Sequence, residues 1–140
     1  MDTSTAGNTL RVDAGLLEAV ARRYDLLLVV LFGSHAKGRE LARSDVDLAV
    51  LARRRVWDDL SWELDLEADL CSAIPDRNLD LTLLNSASPV LAFEVASSGK
   101  PLFESAPTAF SRFRSYAARA YYDNEHRLRR QTRYLAGLRR

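Results

Sequence analysis

The chain is poor in cysteine, in turn formers and in long apolar stretches: one Cys, four Pro, six Gly. A lone Cys71 cannot form an internal disulfide, and its apolar neighbours point to an inert core thiol. The apolar run Leu26–Phe32 has seven residues, whereas a helix crossing a bilayer needs roughly 20. The start, MDTSTAGNTLRVD, has neither the basic nor the apolar stretch of a signal peptide. No internal repeat or low-complexity segment is visible. These absences together lead to the expectation of a cytoplasmic protein with no membrane partner.

What is present suits a globular domain. A length of 140 residues, 47% of them apolar, is enough to enclose a core. The expected organisation is a single domain over 1–140, with its core at about 10–105 and an Arg-rich helical segment over 107–140. Charge is unevenly spread. Residues 1–109 carry 11 Lys/Arg against 17 Asp/Glu, whereas residues 110–140 carry nine Arg against Asp123 and Glu125. An acidic body with a basic tail implies either a partner for the tail or a solvated helix face.

Strands and helices alternate along the chain. Asp13–Arg23 reads as a short helix capped by Asp13. Leu26–Phe32 reads as a strand covered on both faces, and Val46, Leu48, Val50 and Leu51 mark a second. Trp57, Leu60, Leu64, Ala68 and Cys71 step by three and four, as one face of a helix that Pro75 ends. Leu79–Leu84 gives a third strand. Ser88 and Pro89 open a helix that runs to Ala96, with Gly99 just beyond its end, and Pro101–Phe103 suits an edge strand. Phe113, Ala117, Tyr121, Leu128, Leu135 and Leu138 mark one face of a long last helix, whose inner part, with Phe110, should seal the core. The class is α/β (α+β), with a small mixed central sheet flanked by helices.

Two aspartates break the second strand's pattern. Residues i and i+2 of a strand point the same way, so Asp45 and Asp47 project together while Val46 faces the other side. Neighbouring carboxylates repel unless a cation lies between them. A hard divalent ion, Mg²⁺ or Mn²⁺, would neutralise the pair; a hydrated sheet edge is the plainer alternative. Upstream, Gly33-Ser34 follows the first strand and precedes Lys37 and Gly38. A strand that stops at Gly-Ser can aim backbone N–H groups at a phosphate. Phosphate cradle and carboxylate pair lie ten residues apart, the two parts that metal-assisted nucleotide chemistry requires.

The stretch GSHAKGRELARSDVDLAVL resembles the signature of the minimal nucleotidyltransferases of the DNA polymerase beta superfamily. Gly33, Ser34, Asp45 and Asp47 fall on the motif, with Gly38 and Ser44 flanking it. The third carboxylate of the family maps to Asp80 in NLDLTLLNSASPVLAFEVASSGKPLFE, and the similarity covers most of Leu26–Glu104. His35 and Lys37 stand where members often carry arginine. Lys37 offers a point charge without the guanidinium fork, and His35 reads more simply as a partly exposed histidine.

The resemblance implies an activity. Asp45, Asp47 and Asp80 would be catalytic and would hold two Mg²⁺ ions, and Ser34 with its neighbouring N–H groups would hold the phosphates of ATP. Short members of this kind resemble the antitoxins of HEPN–minimal nucleotidyltransferase pairs, which move AMP from ATP to a tyrosine of a HEPN ribonuclease toxin. A chain of this size has no room for a separate acceptor-holding domain, so the acceptor should lie on a partner surface or at the chain's own oligomer interface. The basic segment 107–140, with Arg112, Arg114, Arg119, Arg127, Arg129, Arg130 and Arg133 around its helix, could dock that partner. A nucleic-acid partner is not expected, because no RNA-reading aromatic motif accompanies these arginines. Self-modification at Tyr116, Tyr121, Tyr122 or Tyr134 is conceivable, although core packing explains some of them better. The alternatives are transfer to a small molecule of aminoglycoside type and a non-catalytic toxin-binding module.

Overall fold

The computed structural model describes residues 10–33, 45–53 and 59–137. Helix α1 (Ala14–Arg23) starts at Asp13, whose carboxylate accepts the Leu16 N–H at 3.0 Å. Strand β1 (Leu26–Phe32) and strand β2 (Val46–Ala52) follow. Helix α2 (Leu60–Ala73) precedes β3 (Leu79–Leu83) and a single 3₁₀ turn at Leu84–Ser86. Helix α3 (Pro89–Ser98) is capped by Ser88 and carries Pro89 in its first turn, where a missing N–H costs nothing. Strand β4 (Lys100–Glu104) and the long helix α4 (Ala109–Gly137) complete the chain.

The strands form one mixed sheet in the order β3-β2-β1-β4. β1 pairs antiparallel with both β2 and β4, and β2 pairs parallel with β3. The two central strands are buried on both faces. Val29, Leu31, Val46, Leu48 and Val50 pack with α1 and α2 on one side. Leu28, Val30, Phe32 and Ala49 pack with α3 and α4 on the other. At Gly99 a β-carbon would run into the Val95 carbonyl and Val30, so α3 passes directly into β4 only with glycine there. Among the described residues no helix is long and apolar enough to cross a membrane.

Three expectations need correction. The residues of α2 that are buried are Leu66, Leu70 and Ala73, whereas Leu60 and Leu64 are 64% and 54% exposed. Both sets recur every three or four residues, so periodicity cannot choose between them. The choice is made by the flank against α1, where the Tyr24 hydroxyl donates to Asp69 at 2.6 Å and its ring meets Trp62 edge-on. Cys71 is consequently exposed rather than in the core. Partial desolvation, aided by the Glu67 carboxylate, still pushes its thiol pKa up and so lowers its thiolate fraction. Trp57 and Leu138 lie outside the described residues.

The third correction concerns α4. Phe113 and Ala117 are buried, Phe110 packs beside them, and Tyr121 stacks on Phe93 with centroids 4.2 Å apart. Leu128 and Leu135 are about half exposed, and Tyr116, Tyr122 and Tyr134 more so. The main contacts of α4 are with α3, β1 and β4. At 29 residues it is roughly 44 Å long, so its outer half outruns the ten-residue α3 that supports the inner half.

Candidate active site

β1 ends, and β2 and β3 begin, at the same edge of the sheet. Phe32 pairs with Asp47 across β1 and β2, and Asp47 pairs with Asp80 across β2 and β3. Directly paired residues project to one face, so the carboxylates of Asp47 and Asp80 emerge side by side. Strands in a sheet lie about 4.8 Å apart. Two carboxylates at that spacing fit around one small cation. The hydrogen bond from Val46 N–H to the Asn78 carbonyl, 2.8 Å long, locks the start of β2 against the start of β3 and fixes this register. Asp45 lies one residue before β2 and is exposed.

Gly33 closes the other flank. Its φ of +75° is a conformation that residues with a side chain rarely adopt. A β-carbon there would collide with the Asp47 carboxylate, whose Cγ would stand 3.1 Å away. Glycine at 33 therefore leaves Asp47 the space beside the turn. Ser34, His35, Lys37, Gly38 and Ser44 lie outside the described residues.

Acidic oxygens on one face are the donor set that Mg²⁺ and Mn²⁺ take, so Asp47 and Asp80 fit such an ion. Among the described residues no three His, Cys, Asp or Glu side chains are drawn together into a ready-made metal site. What the structure contributes is register and a cleared flank.

Two supporting residues were not singled out from the sequence. Asn85 accepts the Ala52 N–H at 2.8 Å and donates to the Ala52 carbonyl at 2.9 Å, so its side chain continues the ladder where β3 has ended. Glu104 accepts the Phe110 N–H at 2.9 Å and ties the start of α4 to the end of β4. The signal for Asn85 was an amide immediately after an apolar strand, a position where a side chain can replace a missing strand neighbour.

A mixed sheet with paired carboxylates beside a glycine turn is the layout of a nucleotide-transferring domain. Comparison with known proteins gives the particular family. The family model described as polymerase beta nucleotidyltransferase matches residues 16–108, and the chain belongs to that family. MntA of Shewanella oneidensis, a protein adenylyltransferase, is 42% identical over 78 residues, which cover 56% of this chain and 54% of MntA. The chain thus spans about half the length of that curated relative. Among solved structures, a chain of a toxin–antitoxin complex with AMP-PNP superposes with a TM-score of 0.68 at 28% identity, covering 92% of this chain and 100% of its own. A chain of the complex of tri-AMPylated Shewanella oneidensis HEPN toxin with MNT antitoxin does so with 0.63 at 26% identity, covering 91% and 97%.

Proposed function

We propose that this chain is an antitoxin that transfers AMP from ATP to a tyrosine hydroxyl of a partner HEPN ribonuclease toxin and thereby silences it. The observation that carries the reading is the in-register pair Asp47 and Asp80 beside Gly33. The name of MntA and the AMPylated toxin in a matched complex support the substrate and the acceptor.

In this reading the tyrosine oxygen attacks the α-phosphorus of ATP, the bond from that phosphorus to the bridging oxygen breaks, and pyrophosphate leaves. Asp80, on the acceptor side, takes up the hydroxyl proton. Asp45, Asp47 and Asp80 would hold Mg²⁺, which when bound neutralises charge on the phosphates and carboxylates. Gly33 keeps the approach to Asp47 clear. Ser34, Lys37, Gly38 and Ser44 would position the phosphates, and the segment 107–140 would meet the toxin. Most of the acceleration then comes from positioning and from charge complementarity. The site of action would be the cytoplasm, where ATP is supplied.

The test is direct. The chain is incubated with ATP, Mg²⁺ and the product of the adjacent gene, and the intact proteins are weighed. The reading expects an AMP-sized gain on a partner tyrosine, lost with EDTA. Tight binding with no mass change would leave a non-catalytic binder, and turnover only with a small hydroxylated compound would move the acceptor off protein altogether.

A further inference from the structure

The end of the sheet away from the aspartates holds a cleft of about 480 Å³ that the proposed transfer does not use. Its apolar lining includes Leu27 at the start of β1, Leu51 near the end of β2 and Phe113 of α4, and Arg53, Arg112 and Tyr116 line it as well. Arg53 is held in place by its Nε, which pairs with Asp25 at 3.1 Å. Arg112 has no ion pair among the described residues, and Tyr116 is 57% exposed. A volume of several hundred Å³ with an apolar floor and a few convergent polar groups is what a buried anchor side chain needs.

The surroundings of the cleft say which charge the visitor carries. Residues at three- and four-residue steps share one flank of a helix. From Arg112 and Tyr116 that flank of α4 continues through Arg119, Arg127, Arg130 and Tyr134, interrupted by Asp123. These side chains are exposed. Arginine and tyrosine are, with tryptophan, enriched at the energetic centre of protein interfaces, and the guanidinium fork matches carboxylates in pairs. A nucleic-acid strand is less well served, because the flank is the convex side of a single helix and residues 1–109 beside it are net acidic.

We propose that this cleft is the anchor pocket for an acidic segment of the partner protein, an apolar side chain entering over Leu27, Leu51 and Phe113 while flanking carboxylates pair with Arg53 and Arg112. The inference rests on the reading of a protein acceptor and adds where and by what chemistry that protein is held. It places docking at one end of the sheet and chemistry at the other, about 13 Å apart along β2 at strand rise.

The experiment uses the full chain and four labelled probes followed by fluorescence anisotropy: a short peptide alternating Glu with Leu and Phe, the same peptide with Lys for Glu, an all-Glu peptide, and a single-stranded RNA. The acidic-apolar peptide should bind, the lysine peptide should not, and the all-Glu peptide should bind several-fold more weakly because the floor goes unused. Arg112→Glu should weaken the acidic-apolar peptide at least about tenfold, and Tyr116→Ala by a smaller factor, with melting temperatures confirming that both variants fold. Equal binding of the all-Glu peptide, indifference to both substitutions, or tighter binding of RNA would each overturn the proposal. AMP transfer to the partner without any peptide binding would overturn the pocket and leave the transfer reading standing; peptide binding without transfer would do the reverse.

Discussion

Strand β2 has two unlike faces. Val46, Leu48, Val50 and Ala52 point toward α1 and α2 and are 0–3% exposed. Asp47, Ala49 and Leu51 point the other way, and only Ala49 among them is fully buried. One face is a continuous hydrocarbon layer. The other begins with a carboxylate in register with Asp80, passes under α3 at a small residue, and ends in the cleft at Leu51. In the proposed reading, stability and chemistry are thus divided between the even and odd residues of a single seven-residue strand. Alternation every second residue is what lets a strand do both.

The comparison can be broken by substituting neighbours. Asp47→Ala should reduce AMP transfer by at least about 100-fold while the protein stays folded; mass spectrometry of the partner and a thermal melt check both. Leu48→Ala, one residue on, should cost about 3 kcal/mol in a urea titration, with the transfer rate of the remaining folded protein preserved. Loss of fold from the first variant, or loss of transfer alone from the second, would erase the division of labour.

Smaller effects sharpen it. Gly33→Ala should lower stability by about 1–2 kcal/mol, because alanine is strained at positive φ, and should slow transfer as well through the crowded Asp47 carboxylate. Tyr24→Phe removes a hydrogen bond on the α1–α2 side and should cost about 1 kcal/mol at neutral pH. The hydrogen bond to Asp69, with desolvation and the charge of Asp69, pushes the Tyr24 pKa up to about 12 from about 10. The folded-state pKa is the higher one, so this contribution is fully present below about pH 10 and is lost as pH rises toward 12. Denaturant titrations of wild type and Tyr24→Phe should therefore converge across that interval.

Much of this arrangement was legible in the residues. A seven-residue apolar run ending at Gly33 marked β1 to its last residue, and Asp13, Ser88 and Pro89 announced the helix starts through their own capping chemistry. The i, i+2 rule holds for Asp47 within β2, whereas Asp45 lies one residue before the strand begins. The roll of α2 was not legible, because leucines occur around it at two competing helical spacings and tertiary contacts of Tyr24 and Trp62 decide between them. Nor was the exposure of Leu128 and Leu135, since a helix carries its periodicity past the end of what it packs against. The register of Asp80 with Asp47 joins residues far apart in the chain; spacing within either strand could not supply it, and the resemblance to the nucleotidyltransferase signature singled out Asp80 instead.

That register is where a single measurement cuts deepest: AMP transfer by Asp80→Asn, followed by the intact mass of the partner, with a melt on the same sample. The substitution keeps the side chain's shape and removes its charge and its capacity to accept the hydroxyl proton. Transfer slowed by about 100-fold or more, with a wild-type melting temperature, is the predicted result. Transfer at the wild-type rate would mean that the carboxylate beside Asp47 is a bystander, and the account of the site would be wrong.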